Sequence, residues 1–277
     1  MIAFIVLLCL LAAGMHATWN VLLKGSPDPL PSATRAVVGS ALLLAPAVLG
    51  VWLLAGRPGL PAGAWLVVMA SAAAELVYFV FLSRAYQAGD LSVVYPIARG
   101  TGPVVAVTGG LLILGERLSA LELVGVFVLL AGIWAVRRPS GGNAVGLAVI
   151  TGIAIGTYTI LDRVGVRLGP VWLFAWVLWV TMGVFLAAWT RGRPLADLFR
   201  PTGRRSLLIG FLMVGAYSCA LLALSLAPVS IVAPLRESAI VLVSAWGILK
   251  MKETGSIALR VAGAVAIVAG IALIALA

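Results

Sequence analysis

The sequence predicts an all-α integral membrane protein of ten transmembrane helices, arranged as two inverted five-helix repeats. Three observations carry that prediction. The 277-residue chain is 63% hydrophobic and only 10% charged, whereas soluble domains carry roughly 25% charged residues. A soluble fold needs a polar exterior and has nowhere to put so much apolar surface. Apolar runs of about 20 residues, the length that crosses a hydrocarbon core, recur ten times, and short motifs repeat between the two halves at a nearly constant offset.

The runs of the first half are Ile2–Lys24, Ala33–Leu54, Ala62–Ala88, Leu91–Leu114 and Ser119–Val136. The first starts Met-Ile-Ala-Phe-Ile without the basic stretch of a cleaved signal peptide, so it is expected to be retained. Ser-Pro-Asp-Pro at 26–29, Arg-Pro-Gly at 57–59, Gly89-Asp90 and Gly115-Glu116 are turn signals between these runs. The second half supplies Asn143–Arg167, Pro170–Thr190, Ser206–Ala227, Val229–Lys250 and Ser256–Leu276, with Ala227-Pro228 as a further break. Short connections make successive helices antiparallel neighbours.

The halves, 1–138 and 139–277, align. Ser92-Val93-Val94-Tyr95-Pro96 matches Ser230-Ile231-Val232-Ala233-Pro234 at an offset of 138, as do Gly125 with Gly263 and Ala131-Gly132-Ile133 with Ala269-Gly270-Ile271. Thr18-Trp19 and Lys24 match Thr157-Tyr158 and Arg163 at 139, and Glu116 matches Glu253 at 137. Five helices is an odd number, so the second half enters the membrane from the opposite side. Such inverted repeats mark secondary transporters, in which rocking about a central site gives alternating access.

The tandem five-helix units resemble the drug/metabolite transporter superfamily in its ten-helix EamA branch. The residues that carry the likeness are Trp19-Asn20-Val21-Leu22-Leu23-Lys24, the early Pro96 of the fourth helix, and Gly115-Glu116-Arg117 followed by Leu123-Val124-Gly125-Val126 and Ala131-Gly132-Ile133. The resemblance covers essentially the whole chain. It implies a pocket between helices 1–4 and 6–9, with helices 5 and 10 peripheral, and both termini in the cytoplasm. It leaves the substrate open.

A charge at mid-bilayer costs about 2.5–3.5 kcal/mol on insertion scales, so each one needs a reason. Glu75 sits in the middle of the third run with Tyr78 one turn on. It reads as a proton carrier, a counter-ion for a cationic substrate, or a partner for an arginine. Arg99 and Arg236-Glu237 each follow a helix proline, and Pro96 and Pro234 are expected to open their helices there. Arg99 and Glu237 are repeat equivalents, 138 residues apart and each about 12 Å into its helix. In antiparallel helices that places both near the midplane, where they face each other or a shared ligand. His16, the sole histidine, shares a face with Trp19, Asn20 and Lys24 and is either a proton carrier or a packing residue. Tyr158 and Asp162 form a similar stripe on helix 6, Tyr95 joins Arg99, and Tyr217 is a further pocket residue. The substrate-binding set is thus His16, Trp19, Asn20, Glu75, Tyr78, Tyr95, Arg99, Tyr158, Tyr217, Arg236 and Glu237, with Glu75, Glu237 and His16 as proton-coupling residues.

The remaining aromatic and small residues read structurally. Trp176 and Trp179 are expected to pack, while Trp52, Trp65, Trp134, Trp172 and Trp189 lie near span ends as interfacial anchors. Cys9 and Cys219 read as small core residues. Gly152 and Gly156 permit close helix approach within the chain, and the Gly125/Gly132 and Gly263/Gly270 faces suit either internal packing or a dimer seam, so a monomer or weak homodimer is expected.

The net charge of +10 does not indicate nucleic acid, because the basic residues are scattered between apolar runs. One histidine excludes a His-Glu-x-x-His zinc site, and no phosphate-binding loop is present, so neither a metal nor a cofactor is expected. Basic residues number eleven after odd-numbered helices and four on the other side, which places both termini outside, against the family expectation. The function expected is secondary active transport, proton-coupled export of a small polar or amphipathic metabolite or drug across a bacterial inner membrane. The mixed charges suit a zwitterionic or anionic, amino-acid-like solute. A flippase for a lipid-linked headgroup, or an intramembrane lipid-modifying enzyme, is the alternative.

Overall fold

A computed structural model describes residues 2–89, 91–135, 143–198, 201–237 and 257–277. Ten α-helices are present among them: α1 (Ile2–Lys24), α2 (Pro29–Leu54), α3 (Ala62–Ala88), α4 (Leu91–Leu112), α5 (Ala120–Ala135), α6 (Asn143–Gly165), α7 (Val171–Trp189), α8 (Pro201–Leu226), α9 (Val229–Arg236) and α10 (Ile257–Leu276). A 3-10 turn, Arg193–Asp197, lies between α7 and α8. Among the described residues, six helices are long and apolar enough to cross a membrane: α1, α2, α3, α6, α7 and the Arg204–Leu226 part of α8. Half-exposed leucines and valines such as Leu42, Leu43, Val184 and Leu208 coat their outer faces. In lipid such a surface is favourable, while helices satisfy every backbone group internally.

Some boundaries move from those expected. α2 begins at Pro29, four residues early, because a proline's fixed φ and missing N–H fit the first turn of a helix. α8 takes in Arg204 and Arg205, and Arg205 reaches over to donate to the Leu22 carbonyl at 3.0 Å. α4 runs unbroken through Pro96, so that proline does not open its helix. α9 stops at Arg236, two residues after Pro234, and the rest of the expected ninth span lies outside the described residues.

Packing follows the repeat. α3 lies on α6 as α8 lies on α1, α3 meets α7 as α8 meets α2, and α2–α7, α4–α9 and α5–α10 pair each helix with its own equivalent. Glycine allows the tightest of these approaches. A Cβ on Gly125 would sit 3.0 Å from the Gly270 carbonyl oxygen, and one on Gly132 would sit 2.7 Å from that of Gly263. The glycine faces of α5 and α10 are therefore used on each other, within one chain, and the two helices pass antiparallel. Gly152 and Gly156 let α6 close on Thr101 and Val105 of α4 in the same way.

At one end of the bundle Gly115, at φ +63°, turns the chain so that Glu116 reaches the start of α9. Its carboxylate accepts from the backbone of Val229 (2.8 Å) and Ser230 (3.0 Å) and from the Ser230 hydroxyl (2.6 Å), with Arg163 Nε at 3.4 Å. An anion there meets both the unpaired N–H groups and the positive end of the helix dipole. The repeat equivalent of Arg163, Lys24, donates to the carbonyls of Tyr86 and Gly89. Ser119 and Glu122 close a reciprocal capping box on α5.

Candidate functional site

The buried polar side chains converge between α1, α3, α6, α8 and α9. His16, Trp19, Glu75, Tyr78, Phe79, Tyr158, Trp179, Met182, Met213, Tyr217 and Arg236 line a small cavity of about 30 Å³. That is room for one or two waters, so a solute enters only if the helices part.

Seven of the eleven expected site residues are thus brought together: His16, Trp19, Glu75, Tyr78, Tyr158, Tyr217 and Arg236. Aromatic edges make its walls, with His16 against Trp19 (4.6 Å between ring centres), Tyr78 against Tyr158 (5.8 Å) and Trp179 against Tyr217 (6.0 Å). Glu75 is buried and its Oε2 has no hydrogen-bond partner.

Four expected residues do not line this cavity. Asn20 has both amide atoms engaged: Nδ2 donates to the His16 carbonyl (2.8 Å) and Oδ1 accepts from Tyr86 (2.7 Å), which ties α1 to α3. Tyr95 stacks beside Arg99, whose guanidinium carbon is 5.9 Å from its ring centre. Arg99 and Glu237 pair across the two halves, Nε to Oε2, at 2.6 Å, both nearly inaccessible. The facing inferred from the repeat offset is present as an ion pair behind the cavity. Arg99 joins it to the cavity wall, donating Nη1 to His16 Nε2 at 3.0 Å. A guanidinium has no acceptor, so that imidazole nitrogen must carry the lone pair.

Asp162 was undervalued by the sequence. It is fully buried, with Oδ1 accepting from Ser71 (2.6 Å) and Oδ2 from Tyr217 (2.7 Å). The one available signal was its i, i+4 spacing from Tyr158. Trp179, expected only to pack, lines the cavity and donates Nε1 to Ser40 on α2 at 3.1 Å. Trp172 and Trp176 line a second, larger cleft between α2, α7 and α8. Trp65, Trp134 and Trp189 are exposed, as anchors would be. Both thiols are free.

Among the described residues no group of three or more histidine, cysteine, aspartate or glutamate side chains is placed to hold a metal.

Comparison with known proteins agrees with this architecture. A solved crystal structure with 17% identity superposes with a TM-score of 0.71, covering 97% of this chain and 95% of that one, a likeness of fold. The spermidine export protein MdtI of Shigella flexneri is 39% identical over 67 residues, 24% of this chain and 62% of that protein. The chain thus spans less than two thirds of this relative's length. The model of the EamA-like transporter family matches twice, at residues 3–138 and 142–276. Repeat, helical packing and family match agree, and the chain is a multi-pass integral membrane protein belonging to the EamA-like transporter family.

Proposed function

We propose that this protein is a proton-coupled secondary transporter, an exporter in a bacterial inner membrane, for a small solute that bears an amino group. The observation that carries this reading is the buried Glu75–Asp162–Tyr217–Arg236 cluster inside a two-repeat membrane fold. Ionisable groups at that depth mark substrate and proton pathways. Glu75 and Asp162 offer oxygen acceptors to an ammonium group, and Arg236 offers donors to a carboxylate or phosphate on the same molecule. A proton and the substrate ammonium compete for the same carboxylates, which is the minimum requirement for exchange. The likeness to a spermidine exporter favours the amine over a purely anionic solute.

Ten spans in two inverted halves suit this reading. Support comes from the antiparallel passage of α5 and α10 and from the Arg99–Glu237 pair between repeat equivalents. The cavity of about 30 Å³ then corresponds to a closed centre. Alternating access would enlarge it by rocking one half against the other.

Purified protein in sealed vesicles tests the reading. Radiolabelled spermidine and a panel of amino acids should accumulate when a pH gradient is imposed and not when it is collapsed. Scrambling of labelled lipid without solute flux would favour the flippase alternative instead.

A further inference from the structure

The larger cleft opens between α2, α7 and α8 and has a volume of about 520 Å³, the size of a drug-like ligand. Leu44, Ala47, Val48 and Val51 form one wall, Val171, Trp172, Ala175 and Trp176 a second, and Val214, Ser218 and Leu222 the third. The lining is almost wholly apolar. Val51 and Leu222 are 50% and 37% exposed, so the cleft opens sideways, where a membrane helix meets lipid tails.

Its inner end is the polar site. Trp179 and Tyr217 line both the cleft and the central cavity, and the Tyr217 hydroxyl is bonded to Asp162. The cleft narrows there because α2 and α7 touch: a Cβ on Gly183 would lie 3.5 Å from Val37, and Ser40 accepts from Trp179. From that vertex the two helices diverge toward Val51 and Val171. A polar end, where Glu75 keeps an unpartnered oxygen in a cavity that Arg236 also lines, and an apolar, laterally open end are therefore joined through two side chains.

We propose that the cleft binds the apolar tail of an amphipathic amine, whose ammonium head sits at Asp162, Tyr217 and Glu75. This rests on the transport reading above and narrows its substrate to molecules with a head and a tail. The acceptor oxygens of Glu75 and Asp162 select the head. The apolar walls select the tail, and the lateral opening lets a tail longer than the cleft extend into the bilayer. Trp179 and Tyr217 stand between the two subsites, so head and tail are bound on either side of one aromatic pair.

The experiment measures binding of linear primary amines, propylamine to decylamine, to the full-length protein in lipid nanodiscs, read by fluorescence of the cleft tryptophans. Affinity should rise about fourfold per added methylene, the transfer value of a buried CH₂. Ala175→Phe fills the cleft from α7 and should flatten that slope, and Ala47→Phe should do the same from α2 if the first variant fails to fold. The slope is the readout, corrected for partition of each amine into protein-free discs. A slope that persists in the filled variants overturns the proposal, as does binding with no dependence on chain length, which would leave the cleft to bilayer lipid. Asp162→Asn separates the two readings. Loss of binding at every chain length supports the head site, whereas an unchanged, steep series in Asp162→Asn would overturn the amine-head assignment while the cleft still holds a tail.

Discussion

Arg99 on α4 and Glu237 at the end of α9 stand at equivalent positions of the two repeats and meet at 2.6 Å in the interior of the bundle. The pair neutralises itself, joins the halves and, through Arg99, orients His16 at the cavity wall. Removing one member of a buried pair leaves an uncompensated charge, a loss of about 3–5 kcal/mol. Arg99→Ala and Glu237→Ala should each lower thermal stability by that order, and the double variant Arg99→Glu/Glu237→Arg should recover part of it. A double-mutant cycle by thermal unfolding measures the coupling. Strictly additive losses would mean that the contact contributes nothing.

The same geometry divides the residues proposed for proton coupling. His16 Nε2 accepts from Arg99, and Glu237 is held by that arginine, so both are already engaged within the protein. Glu75 lines the cavity, and Asp162 supports it through the Tyr217 hydroxyl. Glu75→Gln and Asp162→Asn should therefore abolish accumulation driven by a pH gradient. His16→Gln, whose side-chain oxygen can still accept from Arg99, should keep the pH dependence and lose at most a few-fold in rate. Gradient-driven uptake in vesicles distinguishes these outcomes, and a pH-insensitive His16→Gln would return the imidazole to the proton pathway.

How far the site could be read from sequence follows from which signals survive in a membrane protein. Helices were legible because apolar length alone specifies them in lipid, and the Arg99–Glu237 contact was legible because the repeat offset relates two distant positions by symmetry. Asp162 was not, because its partners Ser71 and Tyr217 lie on other helices, 91 and 55 residues away. Trp179 and Trp176 were not, because α7 is apolar all round: core-facing and lipid-facing positions carry the same residue types, so composition does not say which face turns inward. Asn20 looked like a ligand for the opposite reason. A polar group on an apolar helix signals a partner, and here the partner is the protein itself, the Tyr86 hydroxyl.

Orientation follows from the loops. Basic residues after odd-numbered helices outnumber those on the other side eleven to four, from which the α1 N-terminus and the α10 C-terminus are expected outside the cell. A C-terminal reporter that fluoresces only in the cytoplasm should stay dark, and one inserted in the loop between α7 and α8 should be bright. The reverse pattern would show that the family's cytoplasmic termini hold here despite the charge count.

Glu116 tests how the far end of the bundle is closed. Its carboxylate engages two backbone N–H groups and one hydroxyl at the start of α9, whereas its ion pair with Arg163 is longer, at 3.4 Å. Hydrogen bonds to a charged group contribute about 1.5–3 kcal/mol, and the donors left behind would be partly buried. Glu116→Ala should therefore destabilise the protein by about that amount or more. Glu116→Gln keeps one acceptor and should lose roughly half as much. Arg163→Ala should cost less than Glu116→Ala, because the carboxylate keeps its α9 donors when the guanidinium is gone. Thermal unfolding of the three variants in one detergent ranks them. If Arg163→Ala proves the most damaging, the end of the bundle is held by charge pairing between α6 and the α4–α5 turn, and the capping of α9 is incidental.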